Sequence, residues 1–375
     1  MDRKPGSSAH DAVVLYHARQ KTPDHEAIIH RDIAMRIADL MDLPFDGVFD
    51  TARHAGKRCY FVPSDTILGP ALKETLGIHG ETDLFGGYAP FGFMPTKAIT
   101  HGLVGSHAKR PEGWSDAFSE QVREATLPGY TAFSREDLRE AARRLLDAGL
   151  PVRLKPVRAT AGRGQKRITH IDALDDAVAQ QDAEALAEYG LVLETHLEDV
   201  VTYSVGQVRL PGLTASYIGT QCLTRDNQGG LVYGGSRLQF ARGGFESLSG
   251  LPLSDDFRQA IELAKRYDRA ADACYPGFFA SRRNYDVAAG TDARGHRLMG
   301  VLEQSWRIGG ASRAEIAALE VLAGDPGCRR LWSETLELFG PDTPAPEHAV
   351  ETFAGEDPDL GLIRKYVMVE AYGNK

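Results

Sequence analysis

Long apolar runs, clustered cysteines and an excess of basic residues are all missing from this sequence of 375 residues. The apolar runs are as short as Val13-Val14-Leu15, so no segment is predicted to span a bilayer. The formal net charge is -9, which gives no basic footprint for nucleic acid or for an anionic membrane. The polar N-terminus lacks the apolar core of a secretory signal, so we expect a cytoplasmic protein.

Cysteine and histidine usage excludes two further classes. The four cysteines form no CxxC pair, and without a signal peptide we expect reduced, mostly buried thiols rather than disulfides. The 12 histidines show no metal-ligand spacing, so no zinc site is predicted. The cysteines are Cys59, Cys222, Cys274 and Cys328.

The chain is too long for one core of typical size, so two or three packed units are expected. A strand at 11–17, a helix over Glu26–Leu43 and a strand at 58–63 predict a small α/β unit at 1–94. Residues 80–96, rich in glycine, proline and aromatics, are predicted to form a connecting loop.

Alternating strands and helices are predicted beyond this loop. We place a central unit at 95–325 and a helical extension with a last strand at 326–375. The strands are expected at 151–157, 166–171, 190–197, 201–222 (a pair broken at Pro211-Gly212), 283–288, 297–305 and 366–372. Two helices are expected at 134–149, capped by Ser134, and at 173–188. A third is expected after a Gly-rich stretch, capped by Ser254, and two more begin at Ala314 and at Arg329.

A lysine followed by a Gly-rich loop marks the first candidate site. Lys155 ends the strand R-L-K-P and is followed by T-A-G-R-G-Q, residues 160–165. Glycines let backbone N–H groups approach phosphate oxygens, and a nearby lysine adds a point charge. A plain hairpin turn is the alternative interpretation. The loop is neither a P-loop, since GxxxxGK[ST] is absent, nor a Rossmann fingerprint, since a strand follows it.

A predicted hairpin carries the second candidate site. On its second strand Val301, Glu303, Ser305 and Arg307 alternate and should share one face, with Asp286 on the partner strand. Two carboxylates and a hydroxyl are oxygen ligands suited to Mg²⁺, and the arginine is placed to neutralise a transferring phosphate. A surface hairpin with scattered charges is the alternative.

The order of these features resembles the ATP-grasp superfamily over roughly residues 95–320. The order is Lys97, then Lys155 with its Gly-rich loop, then the apolar strand V-L-E ending at Glu194, then D…E-x-S-x-R-x-G-G. The whole chain is also similar to an uncharacterised bacterial family assigned to that superfamily. The resemblance implies an α/β (α+β) ATP-grasp fold, preceded by an N-terminal α/β domain, that binds ATP and Mg²⁺.

The resemblance also implies roles for individual residues. The lysines would hold ATP phosphates, a Gly-rich loop would close over them, a hinge segment would frame adenine, and a metal group would bind Mg²⁺. Arg307 and Gly310 would face the acceptor. These groups are Lys97 and Lys155; Gly162, Arg163, Gly164 and Gln165; Glu194, Thr195, His196 and Leu197; and Asp286, Glu303 and Ser305.

Two positions depart from the superfamily pattern. Ser305 stands where an asparagine is usual, which weakens the expected metal contact. Thr202 stands near the usual acidic ribose ligand, for which Glu198 or Asp199 is a substitute.

Several residues near these motifs have two interpretations. Arg242-Gly-Gly and Ser281-Arg-Arg-Asn284 could bind an anionic acceptor or form a solvated rim. Trp306 and the run Tyr-Pro-Gly-Phe-Phe at 275–279 are expected in the core. His101 and His196 are expected to be structural rather than catalytic bases.

A carboxylate ligase is the function that this pattern favours. ATP would phosphorylate a small-molecule carboxylate, and an amine or thiol would attack the acyl phosphate. A kinase acting on a hydroxyl and a non-catalytic ATP-binding partner subunit are the alternatives. The acceptor is not encoded in these motifs, and a homodimer is the default expectation for assembly.

Overall fold

A computed structural model of the chain describes residues 10–19, 21–158, 164–179, 181–341 and 343–371. Within these ranges the strands form four sheets, which join elements far apart in sequence. The strands are β1 (Ala12–Tyr16), β2 (Phe45–Val48), β3 (Cys59–Pro63), β4 (Ile67–Leu68), β5 (Gly87–Ala89), β6 (Gly129–Ala132), β7 (Val152–Pro156), β8 (Lys166–Ile168), β9 (Leu191–Thr195), β10 (Glu198–Leu210), β11 (Leu213–Arg225), β12 (Leu231–Arg242), β13 (Phe279–Ala280), β14 (Arg282–Thr291), β15 (Arg297–Ser305), β16 (Arg330–Phe339), β17 (Val350–Asp357) and β18 (Gly361–Ala371).

The helices lie between these strands, together with short 3-10 turns such as Lys97–Thr100. The α-helices are α1 (Asp24–Leu40), α2 (Pro70–Leu76), α3 (Asp116–Val122), α4 (Arg135–Asp147), α5 (Ile171–Val178), α6 (Ala183–Tyr189), α7 (Asp255–Cys274) and α8 (Ser312–Gly324).

The N-terminal α/β unit confirms the predicted strand, helix and strand. β1 lies between β2 and β3 with both pairings parallel, and α1 buries Ile29, Ile33 and Ile37 in the core beside it. The predicted connecting loop at 80–96 contains a 3-10 turn and the strand β5, which joins β4 and β13 in a second small sheet.

A four-stranded antiparallel sheet in the order β6-β9-β7-β8 carries the first candidate site. Helix α4 packs on it and begins as predicted, because the hydroxyl of Ser134 accepts a hydrogen bond from the backbone N–H of Asp137. The single helix predicted over 173–188 is instead two short helices, α5 and α6.

An eight-stranded antiparallel sheet in the order β15-β14-β10-β11-β12-β16-β18-β17 carries the second site. The predicted pair at 201–222 is confirmed as β10 and β11, while the Gly-rich stretch includes the long strand β12. Helix α7, capped by Ser254, packs on one face of this sheet, and α1 and α8 pack on the other.

The helix predicted from Arg329 is wrong. Residues Arg330–Phe339 form β16, which pairs with β12 on one side and β18 on the other. The last part of the chain therefore extends the large sheet, and the strand expected at 366–372 is the end of β18. The domain limits at residues 94 and 325 remain predictions.

The cysteine thiols are free, with Cys59 and Cys328 buried, Cys274 half-buried and Cys222 exposed. No helix in the described ranges is long and apolar enough to cross a membrane.

Candidate functional site

A cavity of about 660 Å³ lies between the four-stranded and the eight-stranded sheets. Its size falls in the range of small-molecule sites. It brings together most of the residues that the sequence singles out, although they come from separate elements. Its lining includes Lys155, Gln165, Glu194, Thr195, Leu197, Thr202, Asp286, Glu303, Ser305, Arg307 and Gly310.

Lys155 and Glu194 form a buried ion pair in the four-stranded sheet. The ammonium of Lys155, 3% exposed, contacts Oε1 of Glu194, 2% exposed, and Nε2 of His101 lies 3.2 Å from Oε2. Burial by itself would raise the pKa of Glu194, but Lys155 and His101 outweigh it and hold that pKa below its ordinary value. The pair holds the ammonium of Lys155 at the cavity wall beside a carboxylate that compensates its charge, and His101 binds that same carboxylate.

The proposed metal carboxylates face each other across two strands. Asp286 on β14 is the register partner of Glu303 on β15, as the hairpin predicts. Nζ of Lys97 lies 2.7 Å from Oε2 of Glu303, so this lysine is held at the metal group. Burial and, next, the charge of Glu303 raise the pKa of Asp286 to about 6. Because the two carboxylates repel each other, the group favours a cation beside them.

Three side-chain amides and hydroxyls orient Asp286 through a single oxygen. Its Oδ1 accepts hydrogen bonds from Gln221 Nε2 at 2.8 Å, Asn284 Nδ2 at 2.9 Å and Ser204 Oγ at 3.4 Å. These donors lie on β11, β14 and β10, so the sheet fixes the position of the carboxylate. The second oxygen, Oδ2, accepts no hydrogen bond from the described residues.

Ser305 contacts an arginine. Its hydroxyl accepts a hydrogen bond of 3.1 Å from Nη1 of Arg282, whose guanidinium also binds Glu315 at 2.8 Å. The hydroxyl of Tyr217 lies 2.6 Å from Oε1 of Glu315 and 3.0 Å from Oδ1 of Asn284, and its single proton is shared between these two acceptors. A buried network therefore links the metal group to α8. A guanidinium beside Ser305 disfavours a divalent cation at that hydroxyl.

The predicted strand face is wrong at Val301. The register shifts between Asp286 and Val287, so Val287 pairs with Val301 while Asp286 pairs with Glu303. This bulge leaves Leu302 unpaired and turns Val301 into the core under α7, whereas Leu302 and Glu303 both line the cavity.

Arg307 lines the cavity just beyond β15. Its Nε lies 3.8 Å from Oδ1 of Asp65, and its Nη1 donates to the carbonyl of Ile308 at 2.9 Å. Burial and the neighbouring charge of Arg19 lower the pKa of Arg307. The backbone of Gly310 packs closely against the ring of Tyr233, since a Cβ at this position would lie 2.5 Å from that ring.

The predicted hinge segment is only partly directed at the cavity. Thr195 and Leu197 line it, whereas Nδ1 of His196 lies 2.9 Å from Nη2 of Arg153. Thr202, which departs from the expected acidic ribose ligand, lines the cavity, whereas its two predicted substitutes are not among the lining residues. Glu198 lies 3.6 Å from Arg167 instead, and Asp199 is exposed.

The predicted phosphate loop lies partly outside the described residues. Gly162 and Arg163 are in the undescribed range, so their predicted role stays a prediction. Gly164 has a φ of 70°, a left-handed conformation that favours glycine, and the side chain of Gln165 accepts a hydrogen bond of 3.3 Å from Arg153.

The arginines suggested for acceptor binding have other partners. Arg242 donates to the carbonyls of Leu322 and Asp325 at the end of α8. Arg282 and Arg283 are buried and ion-paired, so they form no solvated rim; Arg282 lines the cavity, but its guanidinium is already bound to Glu315. The expectation that Trp306 belongs to the core is confirmed.

Sequence reasoning missed residues from the two ends of the chain. Glu26 and His30 on α1 and Lys365 on β18 line the same cavity as the metal group. The spacing of Glu26 and His30, four residues apart on a helix, is a weak signal because most such pairs are surface pairs. Asn284 is the register partner of Ser305, so an amide lies beside the predicted metal group.

The donor set fits a magnesium ion shared with a ligand. No group of three or more His, Cys, Asp or Glu side chains is placed to hold a metal in the part of the chain that the structure describes. Mg²⁺ is commonly held by one or two carboxylates, with phosphate oxygens and water completing its shell. Asp286 and Glu303 provide that pair, so the residues fit Mg²⁺ bound together with a phosphate.

Solved structures with similar folds are ATP-grasp enzymes. N5-carboxyaminoimidazole synthetase from Staphylococcus aureus, complexed with ADP, is 11% identical with a TM-score of 0.56, covering 96% of this chain and 93% of that one. Biotin carboxylase from Campylobacter jejuni, in a β-γ-ATP complex, is 13% identical with a TM-score of 0.51, covering 96% and 88%. Phosphoribosylamine–glycine ligase from Thermotoga maritima is 15% identical with a TM-score of 0.50, covering 96% and 92%.

The fold predicted from the motif order is therefore confirmed: the chain has the ATP-grasp fold. No curated protein matches the sequence. One family model does, over residues 13–367, and its description is "Protein of unknown function (DUF3182)". Because this match spans nearly the whole chain, the protein belongs to the DUF3182 family.

Proposed function

We propose that this protein is a Mg·ATP-dependent ligase that activates a substrate carboxylate as an acyl phosphate. The observation that carries the proposal is the opposition of two charged groups across one cavity. Lys155 stands on the wall formed by the four-stranded sheet, and Asp286 and Glu303 stand on the wall formed by the eight-stranded sheet. The similarity to ATP-grasp enzymes supports a nucleotide between these walls.

The residues would divide the work by their charge and position. Lys155 would hold ATP phosphates, and Thr195 and Leu197 would frame the adenine. Asp286 and Glu303 would hold Mg²⁺, which when bound neutralises phosphate charge. Arg307 lines the same cavity as Glu303 and would bind the phosphoryl group or the substrate carboxylate that is activated.

A second candidate function is ATP binding without turnover. The contact between Ser305 and Arg282 favours it, because a guanidinium occupies the hydroxyl that would otherwise complete the metal group. ATP would then bind but not be consumed.

Trapping with hydroxylamine tests the ligase. Purified protein would be incubated with Mg·ATP, hydroxylamine and single members of a panel of small carboxylic acids. A ligase gives a hydroxamate and ADP with at least one acid, and chelation of Mg²⁺ abolishes both. A kinase gives ADP and a phosphorylated hydroxyl without hydroxamate. ATP binding in calorimetry with no ADP formed under any condition supports the non-catalytic protein and contradicts the ligase.

A further inference from the structure

A second region of the cavity extends away from Lys155 toward the N-terminal unit. We call it the acceptor chamber and define it by Arg19, Glu26, His30, Arg307 and Lys365, all of which line the cavity. These residues come from the segment after β1, from α1, from the segment after β15 and from β18. The chamber thus joins both ends of the chain beside the metal group.

His30 is an enclosed imidazole directed into this chamber. It is 6% exposed, it lines the cavity, and its ring makes no hydrogen bond with the described residues. Burial lowers the pKa of His30 to about 4, and Glu26 opposes that shift only in part. The ring is therefore neutral at pH 7 and keeps a lone pair for a donor that enters the chamber.

Cations surround the same space. Arg19 is paired with Glu26 at 2.7 Å, and Lys365 is paired with Glu337 at 2.9 Å. Arg307 is compensated less well, because its nearest carboxylate oxygen is 3.8 Å away and Arg19 helps to lower its pKa. An entering anion would relieve this repulsion.

A buried contact fixes the chamber wall. Nδ1 of His25 on α1 lies 2.9 Å from Oδ2 of Asp357 at the end of β17. Both side chains are buried, so the C-terminal hairpin is tied to the N-terminal helix. Lys365 and His30 are consequently held on facing elements.

We propose that the acceptor chamber binds an amine that carries its own carboxylate, and that His30 accepts the proton of the attacking nitrogen. The carboxylate would bind Arg307 and Lys365, and the N–H donors would bind Glu26 and His30. This inference rests on the proposed ligase, which supplies the acyl phosphate.

Attack of the amine on the acyl phosphate needs no further reactant. The amine nitrogen forms a bond to the acyl carbon, and the bond from that carbon to the phosphate oxygen breaks with its electron pair. The proton lost by the nitrogen passes to His30 and returns to the departing phosphate through the water of the cleft. A weak base suffices, because the nitrogen becomes acidic as its new bond forms.

Matched probes test the binding part directly. Calorimetry on protein saturated with Mg·ADP would compare glycine with methylamine, which lacks the carboxylate, and with acetate, which lacks the amine. We expect glycine to bind at least about tenfold more tightly than either fragment, since both ends are recognised. Lys365→Met should remove this preference. Equal binding of the three probes would contradict the proposal that the chamber recognises both the amine and its carboxylate. A preference for glycine that persists in Lys365→Met would contradict it as well.

The role of His30 needs a separate readout. With an acid that supports hydroxamate formation, His30→Gln should lower glycine-dependent ADP release by about a hundredfold, while hydroxylamine trapping stays within about twofold. Exposed His79 provides the control His79→Gln, which should change neither rate. Equal loss of both reactions, or loss of neither, contradicts proton transfer through His30. His30→Asn, with its fold checked by melting, guards against misfolding of the first variant.

The two proposals fail separately. Absence of hydroxamate with every acid contradicts the ligase, whatever the calorimetry shows. Hydroxamate formation combined with no preference for glycine contradicts the chamber alone.

Discussion

The ammonium of Lys155 contacts the carboxylate of Glu194 across the neighbouring strands β7 and β9, and both side chains are almost fully buried. Each residue appeared in the sequence as a separate motif, one before the Gly-rich loop and one at the end of an apolar strand. The antiparallel pairing places them together, so the nucleotide lysine and the hinge glutamate form one unit. Replacing either one therefore affects both folding and binding.

Replacing Lys155 by methionine should lower both ATP affinity and stability. The variant keeps the length of the side chain but removes a charged contact, so ATP affinity should fall by roughly tenfold to a hundredfold. It also leaves the buried carboxylate of Glu194 with only His101, which should lower the free energy of unfolding by about 3–5 kcal/mol. Calorimetric titration and urea denaturation measure the two effects.

A double variant separates these effects. Lys155→Met with Glu194→Gln removes both charges, so most of the lost stability should return while ATP affinity stays low. Unchanged ATP affinity in the single variant would show that Lys155 does not contact phosphate.

Replacing Glu303 by glutamine should uncouple metal binding from stability. The exchange removes a partner of Lys97 but also relieves the repulsion that helps to raise the pKa of Asp286. We expect the free energy of unfolding without ligand to change by less than about 1 kcal/mol. The increase in Tm that Mg·ATP gives should largely disappear, because ligand stabilisation follows occupancy.

The ion pair of exposed Glu246 with half-buried Lys265 supplies the control for this experiment. Glu246→Gln also removes one carboxylate from a lysine, but far from the cavity lining, and should keep the full Mg·ATP shift. Melting curves of the wild type and both variants are compared with and without Mg·ATP. If Mg·ATP raised the Tm of Glu303→Gln as much as that of the wild type, Glu303 would not take part in binding Mg²⁺.

The parts of the fold that could be predicted are those that local chemistry determines. Ser134 and Ser254 cap helices because their hydroxyls accept backbone N–H groups within the next turn. The hairpin of β14 and β15 follows from period-two alternation around a polar turn, which also places Asp286 beside Glu303. These features need no distant partner.

The errors arise where distant partners decide. Arg330–Phe339 was predicted as helix, yet its burial alternates because β12 and β18 pair with it on both sides. Val301 does not lie on the predicted strand face with Glu303, because a bulge interrupts the pairing of β14 and β15. No local sequence pattern signals this bulge. The sequence does not predict that His30 and Lys365 share a site, because only the packing of α1 against the C-terminal hairpin brings them to one cavity.

The buried pair of Arg282 and Glu315 should support both the sheet and the metal group. Glu315→Gln leaves the guanidinium of Arg282, 1% exposed, without its carboxylate, so the free energy of unfolding should fall by about 3–5 kcal/mol. Tyr217→Phe removes only a hydroxyl and should cost about 1 kcal/mol. Because Tyr217 orients Asn284 and through it Asp286, this milder variant should also weaken the Mg²⁺ dependence of ATP binding.

Urea denaturation and titration of ATP at several Mg²⁺ concentrations measure these outcomes. Exposed Glu347 provides the matched control Glu347→Gln, which should leave both properties unchanged. A Tyr217→Phe variant with the wild-type Mg²⁺ dependence would limit the network to a structural role.

Stability at acid pH should depend on His30. Its pKa is about 4 in the folded protein against 6.5 as the ordinary value, so between these limits the unfolded chain binds the proton more readily. The charged groups that act on its pKa, after burial itself, are Glu26, Arg19, Arg307 and Lys365, and all four line the same cavity. Because the folded pKa is depressed, the neutral ring carries no penalty above pH 6.5, and stability falls as the pH drops from 6.5 toward 4.

Lowering the pH from 7 to 5 should therefore cost the wild type about 2 kcal/mol through this group alone. His30→Gln cannot be protonated, so its free energy of unfolding should fall by about 2 kcal/mol less over the same interval. Urea denaturation of both proteins at pH 7, 6 and 5 measures the difference, and exposed His79 again gives the control, since His79→Gln should follow the wild type. If the curves of wild type and His30→Gln ran parallel from pH 7 to 5, the ring would titrate freely in the folded protein. It would then not be the enclosed neutral base on which the acceptor chamber depends.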